Sequence, residues 1–180
     1  MNMKKIVTSV LLIVVLIAGL FTLTGCGEEK TKTPEGKKLS FTSSDKKTWD
    51  FYYPENAGIE VEDTSETYKI LKDTEENYKI EINLRENTTY KRDKEENKDY
   101  FPETYKEFTL GGYEAYSYST TRGFYIFVLL GEKEDWFTTF EIEIDPVSQA
   151  GNEDNGRNFY ENNKEVKSII DSLMAAPVAE

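Results

Sequence analysis

Alternation of apolar and polar side chains is the strongest pattern in the chain, and it predicts short β-strands from residue 39 onward. The clearest run is 78–84, where Tyr, Ile, Ile and Leu occupy every second position. A strand with this period has one buried face and one solvated face. Shorter runs of the same kind lie at 49–53, 59–61 and 68–70. Their close spacing favours hairpins and antiparallel pairing over βαβ crossovers.

The second half of the chain predicts two further hairpins. Strands at 108–110 and 113–119 flank the glycine pair at 111–112, which is a turn signal. Residues 124–130 are apolar at every position, so this strand is expected to be central and covered on both faces. The strand that follows, 136–144, alternates again and is expected to pair with it as a hairpin.

Helical spacing returns near the C-terminus. The positions that share one helical face there are Phe159, Asn163, Val166, Ile170 and Leu173, joined by Ile169 and Met174. This spacing predicts one amphipathic helix that lies on the sheet. Asn158 and Glu161 are expected to form a capping pair at its start, and Pro177 ends it. Residues 91–98 are charge-dense without an apolar stripe, and they predict either a short exposed helix or a mobile loop.

Together these patterns predict an α+β fold. It has an antiparallel β-sheet, a C-terminal amphipathic helix packed on that sheet and, where 91–98 is helical, a second short helix. We expect residues 39–180 to form this as a single domain, because their number suits one hydrophobic core. Residues 26–38 lack large apolar side chains and contain Pro34, so they predict a flexible tether.

The N-terminal segment has the order typical of a secretory signal: Lys4 and Lys5, then an apolar run over 6–21, then small residues. Its last four residues, Leu23, Thr24, Gly25 and Cys26, resemble the lipobox of bacterial lipoproteins. In that family the Cys thiol receives a diacylglycerol, and cleavage leaves it as the mature N-terminus. The resemblance implies a lipoprotein signal peptide over 1–25 and lipidation at Cys26. An uncleaved membrane anchor and an ordinary secretory signal are the alternatives.

The same segment predicts where the protein works. Lys4 and Lys5 are expected to stay cytoplasmic, which places the remaining chain on the extracytoplasmic face of the cell membrane. Cys26 is the only cysteine, so no intramolecular disulfide is possible. Acyl chains on Cys26 would tether the domain to the membrane. The pattern fits an envelope facing a thick wall as well as one facing a periplasm.

Charge and composition narrow the range of possible functions. The chain has 34 acidic and 22 basic residues, a net charge of −12, which argues against nucleic acid binding and against attraction to anionic lipid. A basic protein surface or cations would fit as partners, although solubility alone also explains the charge. The oligomeric state stays open. The absence of His removes the usual general base and nucleophile pairs, so we predict neither an enzyme nor a cofactor.

Two candidate sites remain weak on sequence alone. Asp145, Glu153 and Asp154 could meet across a polar loop and offer oxygens to a hard cation, but the spacing is not that of an EF-hand and a solvated acidic loop is favoured. Ser44 and Lys47 match Ser-x-x-Lys, the nucleophile motif of penicillin-binding enzymes, without that family's other motifs. A two-residue match is expected by chance, and no metal site is predicted.

A tyrosine-rich strand is the third candidate. Tyr116 and Tyr118 lie on the opposite strand face from Tyr113 and Ala115. An exposed tyrosine row could stack on sugars or dock a protein partner, making Tyr116 and Tyr118 a possible ligand or partner surface. The favoured alternative is that both rows pack inside the domain.

Four pieces of the domain resemble the PsbP-like family, named for an extrinsic protein of photosystem II. They are Trp-Asp-Phe-Tyr-Tyr-Pro at 49–54, Gly-Gly-Tyr-Glu-Ala-Tyr at 111–116, the apolar strand from Phe124 and Val-Lys-Ser-Ile-Ile-Asp-Ser-Leu at 166–173. The resemblance implies an antiparallel sheet flanked by helices, and an accessory or binding module. The metal-binding histidines of photosynthetic members have no counterpart in a chain without His, so photosynthetic function is not implied.

The prediction for function is therefore a membrane-anchored extracytoplasmic lipoprotein that acts as a non-catalytic binding or accessory module with an envelope protein partner. It expects one contiguous exposed aromatic or apolar patch. The alternative is a lipoprotein that binds a cation, a small ligand or a glycan. A cryptic enzyme is the third hypothesis.

Overall fold

A computed structural model of the chain describes residues 35–55, 58–75, 77–146 and 155–175. The predicted signal peptide, the lipobox and most of the predicted tether lie outside these residues. Within them, no helix is both long enough and apolar enough to cross a membrane.

The described residues form two antiparallel sheets and three helices. The strands are β1 (Lys37–Thr42), β2 (Thr48–Tyr53), β3 (Ile59–Asp63), β4 (Tyr68–Asp73), β5 (Lys79–Thr88), β6 (Lys106–Leu110), β7 (Tyr113–Ser119), β8 (Phe124–Lys133), β9 (Trp136–Asp145) and β10 (Met174–Ala175). The helices are α1 (Tyr90–Tyr100), α2 (Asn155–Asn162) and α3 (Lys164–Asp171). The larger sheet has the strand order β3-β4-β5-β9-β8-β7-β6, and the smaller has the order β1-β2-β10. This confirms the predicted α+β class.

The seven-stranded sheet has two faces of different character. We call first face the side that carries Ile80, Ile82, Ile126 and Ile142, all of which are buried. Their alternation with polar neighbours is the period of two that predicted the strands. The register aligns them across the sheet, with Ile82 opposite Ile142 and Ile142 opposite Ile126. The opposite side is the second face.

The main hydrophobic core lies on the first face, between the large sheet and two covering layers. The three-stranded sheet supplies one layer, and its Phe41 and Phe51 rings pack edge-on against Phe140 at centroid distances of 5.1 and 5.2 Å. Helices α2 and α3 supply the other, with Tyr160 and Ile169 in the same core. The C-terminal helical segment therefore packs on the sheet, as its amphipathic pattern predicted.

The single C-terminal helix predicted from sequence is wrong in its bounds. The chain forms α2 and α3 with a break at Asn163, whose side chain accepts hydrogen bonds from the backbone N–H groups of Glu165 and Val166, both at 3.1 Å. Asn163 therefore caps α3, because an asparagine oxygen satisfies N–H groups that lack a partner within the helix. Asn158 lies inside α2, so it does not start a helix. Met174 also leaves the helix, because β10 pairs it with Asp50 of β2.

The β6–β7 turn locks the end of α3 to the large sheet. Gly111 has a φ of +58°, and a Cβ at this position would collide with the backbone oxygen of Leu173. Both the left-handed backbone and the close approach require glycine. The turn predicted at this glycine pair therefore also sets the spacing between sheet and helix.

Strand β8 is less covered than its composition predicted. It lies inside the sheet between β9 and β7, and Ile126 and Val128 are fully buried on the first face. Tyr125, Phe127 and Leu129 on the second face are only half-buried. The expectation of cover on both faces is therefore wrong for the second face, where the cover is incomplete.

Candidate ligand-binding surface

A row of stacked aromatic rings crosses the second face. Successive strands place Tyr118 opposite Tyr125 and Tyr116 opposite Phe127. The Tyr118 ring stacks on Tyr125 at a centroid distance of 5.2 Å, and the Tyr116 ring stacks on Phe127 at 4.8 Å. Phe101 lies parallel to Tyr118 at 4.5 Å. The rings form one contiguous surface because aromatic side chains at alternate positions face the same side of neighbouring strands.

Carboxylates extend this row toward β5. Glu81 lies opposite Glu143 across the β5–β9 pair, and Glu141 is the next residue on the same face. Arg85 donates two hydrogen bonds to Glu141, at 2.8 and 3.0 Å. Lys79 Nζ lies 2.8 Å from Glu81 Oε1. Burial raises the pKa of Glu81, but hydrogen bonds from Lys79 and Tyr68 outweigh burial and lower it below 4.5. Glu81 is therefore ionised at neutral pH.

Phenol groups hold two of these carboxylates in place. Tyr68 donates to Glu81, and Tyr125 Oη donates to Glu143 Oε1 at 3.0 Å. The bond to Glu81 raises the pKa of Tyr68 to about 12. Burial raises the pKa of Tyr118 to about 12, and burial with the Glu143 carboxylate raises that of Tyr125. These three tyrosines are therefore protonated at neutral pH, and Tyr68 and Tyr125 act as hydrogen-bond donors.

The open part of the second face is a shallow depression of about 220 Å³. We call it the aromatic–acidic face and define it by Tyr68, Glu81, Asn83, Tyr118, Tyr125, Phe127, Glu141 and Glu143. It offers a row of stacked rings next to carboxylates, an arrangement suited to ligands that carry basic or hydroxyl groups beside apolar surface. Binding is the chemistry that this arrangement supports.

Helix α1 closes the other part of the second face. Tyr90 packs with Tyr116 and Phe137 in a small cluster beneath the helix. Lys94 is only 16% exposed and reaches Glu107 and Glu114 at 2.8 and 2.9 Å. The helix docks through a buried tyrosine and long lysine stems, which explains why its sequence has no apolar stripe.

The structure separates the two candidate tyrosines. Tyr116 is fully buried beneath α1, and Asn97 Nδ2 donates to its hydroxyl at 3.3 Å. It offers no surface to a ligand while α1 is in place. Tyr118 is half-buried and belongs to the aromatic–acidic face. Tyrosine packing and tyrosine exposure therefore coexist on one strand face.

Most of the remaining candidates lie outside the residues that the structure describes. Asp145 ends β9 and lies 4.0 Å from Lys79 Nζ, while Glu153 and Asp154 lie outside the described residues, as do Cys26 and the lipobox residues Leu23, Thr24 and Gly25. Among the residues that the structure describes, no group of three Asp, Glu, Cys or His side chains could hold a metal ion.

The Ser-x-x-Lys match does not form a nucleophile pair. Ser44 Oγ donates to Glu86 at 2.8 Å, and Lys47 Nζ pairs with Asp45 at 2.9 Å. A lysine that served as base would have to contact the serine hydroxyl. Both side chains are engaged elsewhere.

Sequence reasoning missed Tyr68, Glu81, Tyr125 and Glu143 as parts of one surface. A signal was present in β8, where aromatic residues at 125 and 127 alternate with aliphatic residues at 126 and 128. Aromatic rings with a polar tip favour half-buried faces, whereas aliphatic side chains favour closed ones. Comparisons with protein-family models, with curated proteins and with solved structures found no match to this chain.

Proposed function

We propose that this chain is a membrane-anchored extracytoplasmic lipoprotein whose domain binds an envelope protein partner through the aromatic–acidic face, without catalysing a reaction. The single observation that carries the binding role is the row of half-buried stacked rings beside carboxylates. Tyr118, Tyr125 and Phe127 lie contiguous there and remain open beyond the edge of α1. Aromatic side chains that a sheet holds at its surface are typical anchors of protein interfaces.

The charge of the face indicates the chemistry of the partner. Glu81, Glu141 and Glu143 are countered on the same face by Lys79 and Arg85, and the whole chain is strongly acidic. A partner segment with Lys or Arg side chains beside an apolar residue would complement both the rings and the carboxylates. The resemblance to PsbP-like accessory domains supports the same role, and the antiparallel sheet flanked by helices is compatible with that family.

The location rests on the N-terminal sequence. The basic, apolar and small-residue order ending at Cys26 supports export and lipidation. The test replaces Cys26→Ala in the full chain, which should lose the lipid and be released from, or mislocalised in, the membrane fraction. Retention of an unlipidated Cys26→Ala protein in the membrane would contradict the anchor.

Site-directed photocrosslinking in intact cells tests the binding surface. A photoreactive amino acid replaces Tyr125, and a matched control places it at Tyr100, which is 75% exposed on α1 outside the face. A specific adduct is expected from position 125 alone. A charge reversal on the same face, Glu143→Lys, should abolish it, because a basic partner would be repelled. Identical adducts from both positions, or an adduct insensitive to Glu143→Lys, would rule out this face as the docking surface.

A further inference from the structure

The two tryptophans of the chain have opposite environments. Trp49 is 4% exposed, and its indole N–H donates to the Tyr113 hydroxyl at 3.2 Å. Trp136 begins β9 and is 51% exposed. Among the described aromatic residues, Trp136 has no ring partner, whereas Trp49 packs against Phe140. One exposed indole needs no explanation by itself. The position of this indole in a cleft, however, does need an explanation.

Trp136 lines a cleft of about 400 Å³ at one end of the molecule, apart from the aromatic–acidic face. Its walls come from the β1–β2 turn, the end of β5 and the β8–β9 hairpin. The residues that matter for its chemistry are Ser44, Asp45, Glu86, Glu132, Trp136 and Thr138. The volume lies within the range of small-molecule sites. It is formed by strand ends and tight turns, so the indole is displayed on rigid backbone.

Backbone irregularities converge on this cleft. The described non-glycine residues with left-handed backbone are Lys46, Asn87 and Glu134, with φ values of 66°, 59° and 58°. Each belongs to one of the three segments that frame the cleft. The large sheet also shifts register twice beside it, between Arg85 and Thr88 and between Leu129 and Gly131. Left-handed residues and bulges carry a local cost and concentrate at functional sites.

The polar walls present hydrogen-bond acceptors. Ser44 holds the Glu86 carboxylate, donating from its hydroxyl at 2.8 Å and from its backbone N–H at 3.2 Å. Asp45 pairs with Lys47 at 2.9 Å and also accepts a hydrogen bond from Ser43, and Glu132 pairs with Lys91 at 2.8 Å. Both carboxylate residues line the cleft, and a carboxylate has about four acceptor positions, so each can accept a further hydrogen bond. Ionised carboxylates only accept hydrogen bonds, so a complementary ligand must donate them.

Several ligand classes fit this arrangement poorly. Four lining carboxylates, at 45, 86, 132 and 134, outnumber the lining lysines at 47 and 133, so an anionic ligand would be repelled. A metal ion lacks a suitable cluster among the described residues. An uncharged ring with one apolar C–H face and many hydroxyl donors at its edge matches both the indole and the carboxylates.

We propose that this cleft binds a neutral glycan, with one pyranose ring stacked on Trp136 and ring hydroxyls donating to Glu86 and Asp45. The apolar face of a sugar ring covers the half-exposed indole, and its hydroxyl edge meets the acceptors around it. This inference goes beyond the protein-binding role proposed above and uses different residues. Either can fail without the other.

The two tryptophans make a direct test possible in the full chain held in detergent. Neutral oligosaccharides, namely tetramers of N-acetylglucosamine, of β-linked glucose and of α-linked glucose, are titrated while acrylamide quenches tryptophan fluorescence. A bound sugar should protect Trp136 and shift its emission to shorter wavelength, while buried Trp49 stays unchanged. The anionic polymer polygalacturonate should give no protection.

Variants test whether the sugar binds in this cleft. Their affinities are measured by calorimetry, because Trp136→Ala removes the fluorescent reporter. Trp136→Ala should weaken affinity at least about tenfold, and Trp136→Phe should restore part of it. Glu86→Gln keeps the fluorescent reporter and should also weaken binding. Tyr100→Ala, the matched exposed aromatic outside the cleft, should bind as the unmodified chain does. These side chains are exposed or rim the cleft, so the variants are expected to fold.

Three outcomes would overturn the proposal. One is no protection by any of the three sugars up to roughly 10 mM, beyond the weak end of useful affinity. Another is sugar binding that survives both Trp136→Ala and Glu86→Gln. The third is protection of Trp136 by calcium chloride or a lysine hexapeptide with none from the sugars, which would reassign the cleft to a cation or a basic peptide.

Discussion

The two faces of the seven-stranded sheet use the same strands for different purposes. The first face carries aliphatic side chains and is closed by the three-stranded sheet, α2 and α3. The second face carries tyrosines, Phe127 and carboxylates, and α1 covers part of it together with Phe101 and Tyr105 of the segment that follows this helix. Aliphatic side chains gain most when water is fully excluded, whereas tyrosines pack their ring and keep a hydroxyl available. Stability is therefore concentrated on the first face, and the second face holds the surface that we propose for recognition.

The two faces also differ in the type of contact that holds their covering helices. On the first face, apolar residues of α3 such as Val166 and Ile170 enter the main core. On the second face, α1 contributes one buried tyrosine and is otherwise held by ion pairs of Lys91, Lys94 and Lys98 and by a hydrogen bond from Asn97 to Tyr116. Ion pairs near the surface contribute less than buried apolar area, so α1 is the weaker lid.

Truncating one phenylalanine on each face should give the largest difference in lost stability between the two faces. Phe140→Ala removes a fully buried ring that contacts Phe41, Trp49 and Phe51, and should cost about 3–5 kcal/mol. Phe127→Ala on the second face removes a half-buried ring and should cost about 1–2 kcal/mol. Denaturant unfolding measures both. Equal losses would mean that the second face is as firmly packed as the first.

Detaching α1 should have a smaller effect that is confined to the second face. Lys94→Met keeps the stem but removes two ion pairs, and should lower the free energy of unfolding by about 1 kcal/mol. Burial lowers the pKa of Lys94, but its bonds to Glu107 and Glu114 outweigh burial and raise it, which agrees with a strongly engaged ammonium. Hydrogen exchange should accelerate at 90–100 while the first-face strands stay protected. Uniform acceleration would show that α1 does not open independently.

The helix break on the first face tests a smaller contribution. Asn163→Ala removes the side chain that caps α3 and should cost about 1 kcal/mol in unfolding free energy. Asn158→Ala is the matched control, because that side chain is exposed inside α2. Its effect should stay within about 0.5 kcal/mol. If both variants lose the same stability, the break at Asn163 is not held by its cap.

Lowering the pH should remove a small stabilisation from the second face, the smallest effect of this series. The folded pKa values of Glu81 and Glu107 lie below 4.5, where lysine partners hold each carboxylate. The unfolded chain therefore takes up these protons first, so their stabilisation is complete above about pH 4.5 and is lost as the pH falls through the lowered folded values. Solvent screening limits this stabilisation to under about 1 kcal/mol. Glu81→Gln should flatten the decline of stability measured between roughly pH 5 and 3. If the variant and the unmodified chain lose stability in parallel over this range, Glu81 is not a source of the decline.

Much of the secondary structure followed from local pattern. Alternation predicted β5 and β9, and the glycine pair predicted the β6–β7 turn, because strand period and turn chemistry depend on near neighbours. The opposite orientation of Tyr116 and Ala115 followed from the same period. Asn163 shows the limit of this approach. An asparagine can continue a polar helix face or cap a new helix, and the helical period alone does not distinguish the two.

Tertiary structure decided which of these residues are exposed to solvent. Tyr116 and Tyr118 share one strand face, yet only Tyr116 lies beneath α1, whose position depends on Lys94 reaching Glu107 and Glu114. Trp136 continues the alternation of Phe140, but the core ends before it and leaves the indole in a cleft. The sequence by itself determined strands, turns and the predicted export signal, because these depend on local order. Exposure depends on cover supplied by segments distant in the chain, and only the fold brings those together.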